Sequence, residues 1–140
     1  MGQINWNRVL LGGLVWWVVY NVLGAAAWFL FNQSEWQAAF HALGRSFPTD
    51  VGFHVFFIVA TLVTGIFMIW FYAAIRPRYG PGPRTAMCAA LALWLVGMAL
   101  PMVAWCLALL FPPRLTVLTL ATNLVAMVVA TLVGAWQYQE

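Results

Sequence analysis

A histidine at the start of the second apolar stretch is the residue best suited to chemistry. Asp50 precedes His54 by four residues, so a helix places both side chains on one face. Because a carboxylate can orient an imidazole, and one axial histidine can hold a haem iron or a chlorophyll magnesium, His54 is a candidate cofactor ligand. The cofactor would be a tetrapyrrole or a lipid, although no pattern requires either. The alternative is that Asp50 caps the helix and His54 lies beside it at a wet surface.

Three polar side chains and one proline interrupt the apolar stretches at similar depths. Asn21, Thr64 and Asn123 each lie 12 or 13 residues from an end of a stretch, and Gly97 is the matching point of the third. Pro101 has no N–H, so the carbonyl of Gly97, four residues earlier, loses its helical partner. We therefore expect a polar layer in which Asn21 or Asn123 donates to that carbonyl. Such a layer either holds helices together or binds a small polar ligand or an ion.

Other catalytic and metal-binding patterns are absent from the sequence. Two histidines at unrelated spacing, His41 and His54, predict no metal site. Cys88 and Cys106 are 18 residues apart, about 27 Å along a continuous helix, which is too far for a disulfide, so we expect buried apolar thiols. The sequence has no HExxH, GxSxG or P-loop motif and no carboxylate inside an apolar stretch. It therefore predicts a protein that is not an enzyme.

Four long apolar stretches must position these residues. They cover about residues 9–31, 51–75, 85–111 and 115–136, with no Asp, Glu, Lys or Arg in their interiors. Each exceeds the roughly 20 residues that cross a bilayer core. With 65% hydrophobic and 6% charged residues, the chain cannot cover a water-soluble surface. The predicted fold is one all-α domain, residues 1–140, of four transmembrane helices running up, down, up and down.

The polar connectors differ in length and chemistry. The first covers residues 32–49 and carries a possible capping box, Ser34 with Gln37, followed by an apolar stripe of Trp36, Phe40, Leu43 and Phe47. It predicts a short amphipathic helix in the membrane interface or, alternatively, a structured loop over the mouth of the bundle. The second, residues 76–84, holds three prolines and two glycines and predicts a rigid turn. The third, residues 112–114, is so short that the last two helices must be antiparallel neighbours.

The arginines predict the orientation of the helices. Arg8, Arg76, Arg78 and Arg84 belong to one side of the membrane, whereas Arg45 and Arg114 belong to the other. By the positive-inside rule, this asymmetry places both termini and the 76–84 turn in the cytoplasm. Six scattered arginines without any lysine are too few for a nucleic-acid patch.

The 76–84 turn also carries a resemblance. The segment from Phe71 to Thr85, FYAAIRPRYGPGPRT, resembles a signature of a family of small uncharacterised bacterial membrane proteins, and the Asn-Trp pair with Arg8 before a glycine-containing first helix is similar too. The resemblance covers the four-helix layout, and its specific part is this turn. It implies a bacterial inner-membrane location. Because the family has no assigned activity, it implies no catalytic residues.

The functional hypothesis is a structural or accessory subunit. Nine tryptophans and uncharged spans predict outer faces that pack against lipid and against other membrane proteins or further copies of the chain. Gly12, Gly13 and Gly24 predict close approach of the first helix to its neighbours. The alternative is a membrane protein that binds a small ligand or pigment through His54 or the polar layer. A dimeric transporter ranks last because no ionisable residue lies at the midplane.

Overall fold

The structure, a computed structural model, describes residues 4–138. Its four long helices are α1, Trp6–Ala42; α2, Val51–Tyr79; α3, Pro83–Leu107; and α4, Pro113–Trp136. Each is long and apolar enough to cross a membrane, and no strand occurs among the described residues. The predicted all-α, four-helix bundle is confirmed, and the chain is a multi-pass membrane protein by the length and apolarity of its helices.

Helix α1 extends beyond the first predicted stretch. It consists of an α-helical segment, Trp6–Ala27, a π-helical turn, Trp28–Asn32, and a second α-helical segment, Gln33–Ala42. No side chain caps the second segment, because the residue before it, Asn32, keeps helical φ and ψ of −93° and −28°. The predicted capping box at Ser34 is therefore wrong. The predicted amphipathic helix is present as a continuation of α1, since residues 32–43 contain no glycine or proline.

Helix α3 contains a second π-helical turn, Leu95–Ala99. This turn directly precedes Pro101, whose missing N–H and bulky ring do not fit a regular α-helical ladder. The Leu100 N–H donates to the Leu95 carbonyl, so a wider turn absorbs the interruption and the helix continues.

Polar contacts define two ends of the bundle. At the end that carries both termini, called the proximal end, the Asn5 N–H donates to the Tyr138 hydroxyl, and the Arg76 guanidinium lies 5.4 Å from the Tyr138 ring centroid. At the opposite, distal end, Arg114 pairs with Glu35 at 3.1 Å. The proline-glycine turn and the second segment of α1 thus lie at opposite ends, as an up-and-down topology requires.

The second segment of α1 covers the distal end. Ala39 is buried with Met102 of α3 and Leu115 of α4. The rings of Trp36 and Phe111 meet edge to face at a centroid distance of 5.1 Å. These contacts agree with the alternative prediction of a structured element over the mouth of the bundle.

The proximal half is closely packed around α1. A Cβ at Gly12 would lie 2.7 Å from the Gly134 carbonyl oxygen of α4, and a Cβ at Gly13 would lie 2.7 Å from the Ile66 Cα of α2. Ile69 is fully buried and packs against both Gly12 and Gly134. Small residues that allow such contacts are a main source of helix association in membranes.

The distal half is open along α2 and α3. Every residue from His54 to Val59 is exposed, so this part of α2 buries no side chain in the bundle. Helix α2 packs against the first segment of α3, Pro83–Trp94, near the turn that joins them. The two helices therefore share a contact at the proximal end and leave apolar surfaces uncovered toward the distal end.

Candidate functional site

Helix α1 carries a set of cross-helix hydrogen bonds, which we call the polar seam. The Trp16 indole N–H donates to the Thr131 hydroxyl of α4 at 2.9 Å, and both residues are fully buried. The other α1 members are Tyr20 and Asn32, which bond to α4, and Trp17 and Asn21, which bond to α2. Polar groups that are costly in lipid are thus used to join three helices.

On the α2 side, one hydroxyl serves two donors. The Trp17 indole N–H and the Asn21 amide each donate to Thr61 Oγ1 at 3.1 Å. Thr61 in turn donates to the Phe57 carbonyl of its own helix at 2.9 Å. A hydroxyl offers one donor and two acceptor sites, so this group is fully satisfied. The second amide bond of Asn21 goes to the Trp17 carbonyl at 2.8 Å.

On the α4 side, a ring stack supports the polar contact. Asn123 Nδ2 lies 2.6 Å from the Tyr20 hydroxyl. The Tyr20 ring stacks on Trp16 with a centroid distance of 4.5 Å and an interplanar angle of 11°. The stack links the two contacts between α1 and α4 into one unit.

The predicted single polar layer is wrong in its acceptor. Gly97 is exposed, and a Cβ added there would meet nothing within 4 Å, so its carbonyl faces away from both asparagines. Asn21 and Asn123 bond to Thr61 and Tyr20 instead, and Thr64 donates only to the Ala60 carbonyl of its own helix. Pro101 is half-buried and shapes α3 without joining the seam. Equal depth along four helices did not imply equal facing.

Sequence reasoning missed several members of the seam. Trp16, Trp17 and Tyr20 looked like ordinary apolar aromatics, and Thr61 and Thr131 looked like small helix residues. The available signal was their position, because an indole N–H or a phenol deep inside a span needs a hydrogen-bond partner. A search for mid-span threonines would have supplied the acceptors.

The structure corrects the proposed relation between His54 and Asp50. The Asp50 carboxylate accepts from the Phe53 N–H at 2.9 Å and so caps α2. His54 Nδ1 lies 2.9 Å from the Asp50 main-chain carbonyl, and since a carbonyl cannot donate, Nδ1 carries the proton. The imidazole is thus oriented by the backbone and not by the carboxylate. His54 and His41 are both exposed.

Two buried oxygen atoms without a protein partner lie where the π-helical turn of α1 meets α4. Asn32 is 8% exposed and donates to Thr122 at 3.0 Å, but its Oδ1 has no partner. Thr119 is 6% exposed, and its hydroxyl also has none. Buried polar atoms of this kind are normally satisfied by an internal water molecule. The contact between α1 and α4 is therefore polar at this end of the seam.

The proximal end is basic and its turn is rigidly built. Gly80 and Gly82 adopt φ of 82° and 125°, values that favour glycine. The Thr85 hydroxyl donates to the Gly80 carbonyl at 2.7 Å, and the Gly82 N–H donates to the Tyr72 hydroxyl at 3.2 Å. The four arginines that indicated orientation, Arg8, Arg76, Arg78 and Arg84, belong to the helix ends at this side of the bundle.

The cysteines and the titratable residues form no further site within residues 4–138. Cys88 is exposed and Cys106 is half-buried, so the predicted burial of both thiols is wrong for Cys88. No group of three or more His, Cys, Asp or Glu side chains that could hold a metal ion occurs in the described part of the chain. Comparisons with protein-family models, curated proteins and solved structures found no match.

Proposed function

We propose that the chain is a structural or accessory subunit of a membrane-protein assembly, with no catalytic activity of its own. The observation that carries the proposal is the contrast along α2. Its distal residues, His54 to Val59, are all exposed, whereas five residues of its proximal half are buried: Gly65, Met68, Ile69, Tyr72 and Ala73. A helix in this arrangement offers its distal half to a neighbour.

The interior supports the same proposal. The polar groups of the spans bond to one another across α1, α2 and α4, and helix backbones approach within van der Waals contact at Gly12, Gly13 and Gly134. This arrangement uses its polar side chains to fix helix positions. The outer surface is then the part of the molecule available for work.

The open region has the composition of a helix-packing surface. Phe56 is 68% exposed on α2, and the exposed residues of α3 include Val96 and Gly97. The open space above Gly97, in a π-helical turn, lets a partner backbone come close. We propose that a transmembrane helix of a partner protein, or of a second copy, packs along the distal halves of α2 and α3.

Native mass spectrometry of the chain extracted from its own membrane in polymer nanoparticles tests this proposal. We expect a discrete mass above the 15.6 kDa of one chain. Replacing Phe56 and Val59 together by alanine should remove that species. A complex that persists in this double variant, or a chain found solely as a monomer, would refute the proposal.

A matched control exists on the same helix. Val63 and Phe67 are exposed residues of the same two types, nearer the proximal half. The double alanine variant at Val63 and Phe67 removes comparable apolar surface and should leave the complex intact. Equal loss in both double variants would show general instability in place of a specific interface.

Pigment or small-ligand binding through His54 is the second candidate. The observation in its favour is that Nδ1 is held by the Asp50 carbonyl, which leaves Nε2 as the free ligand atom on an exposed helix face. Phe53 lies beside the imidazole, with a centroid distance of 5.8 Å. Purified protein should then show visible absorption bands that His54→Ala removes and His41→Ala keeps. A colourless protein that gains no bands with added haem would exclude this candidate.

We propose the bacterial inner membrane as the location, with both termini in the cytoplasm. Four arginines at the proximal end against two at the distal end support this orientation, and so does the resemblance of the 71–85 segment to a bacterial family. Fusion of a reporter active only in the cytoplasm to the C-terminus should give signal, whereas the same reporter inserted after Arg45 should give none.

A further inference from the structure

We propose that the proximal end binds the phosphate group of an acidic phospholipid, at the turn between α2 and α3. The site consists of the guanidinium groups of Arg78 and Arg84, with Arg8 and Arg76 as further positive charges on the same side of the bundle. This inference does not depend on a protein partner.

The charge distribution favours an anion at this end. Both acidic residues of the described chain, Glu35 and Asp50, belong to the distal half, and Glu140 lies outside the described residues. Arg78 and Arg84 are exposed and flank the turn. Clusters of arginine next to a transmembrane helix attract anionic lipid head groups.

The depth of the turn matches the head-group region. Helix α2 has 29 residues, about 44 Å at the α-helical rise, whereas the hydrocarbon core is about 30 Å thick. The end of α2 must therefore project beyond the hydrocarbon. Exposed aromatic residues at the same end, Trp6, Tyr79 and Trp136, are of the types that settle at the membrane interface.

The turn holds the two arginines in fixed positions before any ligand arrives. The Thr85 and Tyr72 side chains each bond to the backbone of the Gly80–Gly82 region, so the connection between the helices is preorganised. No side chain caps the start of α3 at Gly82. The N-terminus of this helix adds a favourable dipole for the anion that the arginines attract.

Native mass spectrometry of purified full-length protein in detergent, titrated with phosphatidylglycerol or phosphatidylcholine, tests the proposal. We expect tighter binding of phosphatidylglycerol. The double variant Arg78→Gln and Arg84→Gln should weaken its binding by tenfold or more, because each arginine near an anionic surface contributes about fivefold. Phosphatidylcholine binding should stay unchanged.

Arg45→Gln is the matched control, since Arg45 is an exposed arginine of the distal connector. It should bind phosphatidylglycerol as the original chain does, and circular dichroism should show equal helix content in all variants. Equal affinity of the original chain for both lipids would overturn the proposal, and so would an equal loss in the Arg45 variant. Displacement of the lipid by millimolar inorganic phosphate would assign the site to a free anion and overturn the lipid assignment.

Discussion

The proximal and distal halves of the bundle are built from similar residues and pack very differently. In the proximal half, Gly12 and Gly13 bring α1 into backbone contact with α4 and α2. In the distal half, Gly24 has nothing within 4 Å of a would-be Cβ. The comparison teaches that apolar composition specifies insertion into lipid, whereas the positions of small and polar residues specify which helices touch. Three pairs of variants can break or sharpen this comparison.

The largest effect is expected for a matched pair of isoleucines on α2. Ile69 is 0% exposed and lies against two glycine backbones, whereas Ile58 is 48% exposed. Ile69→Ala should lower the free energy of unfolding by about 2–5 kcal/mol, because rigid backbones cannot collapse into the cavity. Ile58→Ala should cost less than about 1 kcal/mol. Unfolding in mixed micelles, followed by tryptophan fluorescence, gives both values, and similar costs would contradict the contrast between the halves.

A pair of glycines on α1 should give the next effect. Gly13→Ala forces a methyl group against the Ile66 backbone and should destabilise the protein by about 1–3 kcal/mol. Gly24→Ala meets open space and should stabilise the helix by up to about 1 kcal/mol. The same unfolding measurement checks both changes. A Gly13→Ala variant as stable as the original chain would show that α1 and α2 are not in backbone contact.

The smallest effect separates a cross-helix threonine from a local one. Thr131→Val removes the acceptor of the buried Trp16 indole N–H and should cost about 1–2 kcal/mol. Thr64 bonds only within its own helix, so Thr64→Val should change stability by less than about 0.5 kcal/mol. Equal effects would mean that the polar seam contributes nothing beyond ordinary helix bonding.

The four spans and their order were predictable from the sequence. Uncharged apolar runs of sufficient length must form helices in lipid, and the proline-glycine turn must separate two of them. The extension of α1 through Asn32 was not recognised because its polar residues resembled a loop. Asn, Gln, Ser and Glu are all tolerated inside a helix when no glycine or proline intervenes.

The polar seam could be predicted only in part. Counting residues along a span gives the depth of Asn21 and Asn123 but not the direction in which they face. Two π-helical turns, at Trp28–Asn32 and Leu95–Ala99, further shift the facing of every residue after them. The acceptors therefore came from α2 and α4, whereas the exposed Gly97 of α3 took no part. The Asp50 and His54 pair failed for a local reason, since the carboxylate satisfied a free N–H of its own helix.

Site-specific photo-crosslinking in the native membrane tests the central claim most directly. A photoreactive amino acid in place of Phe56 should give one discrete protein adduct, and the same group in place of Phe67 should give lipid adducts, because we place the partner surface on the distal half. Discrete protein adducts from Phe67, or lipid adducts alone from both positions, would contradict the account.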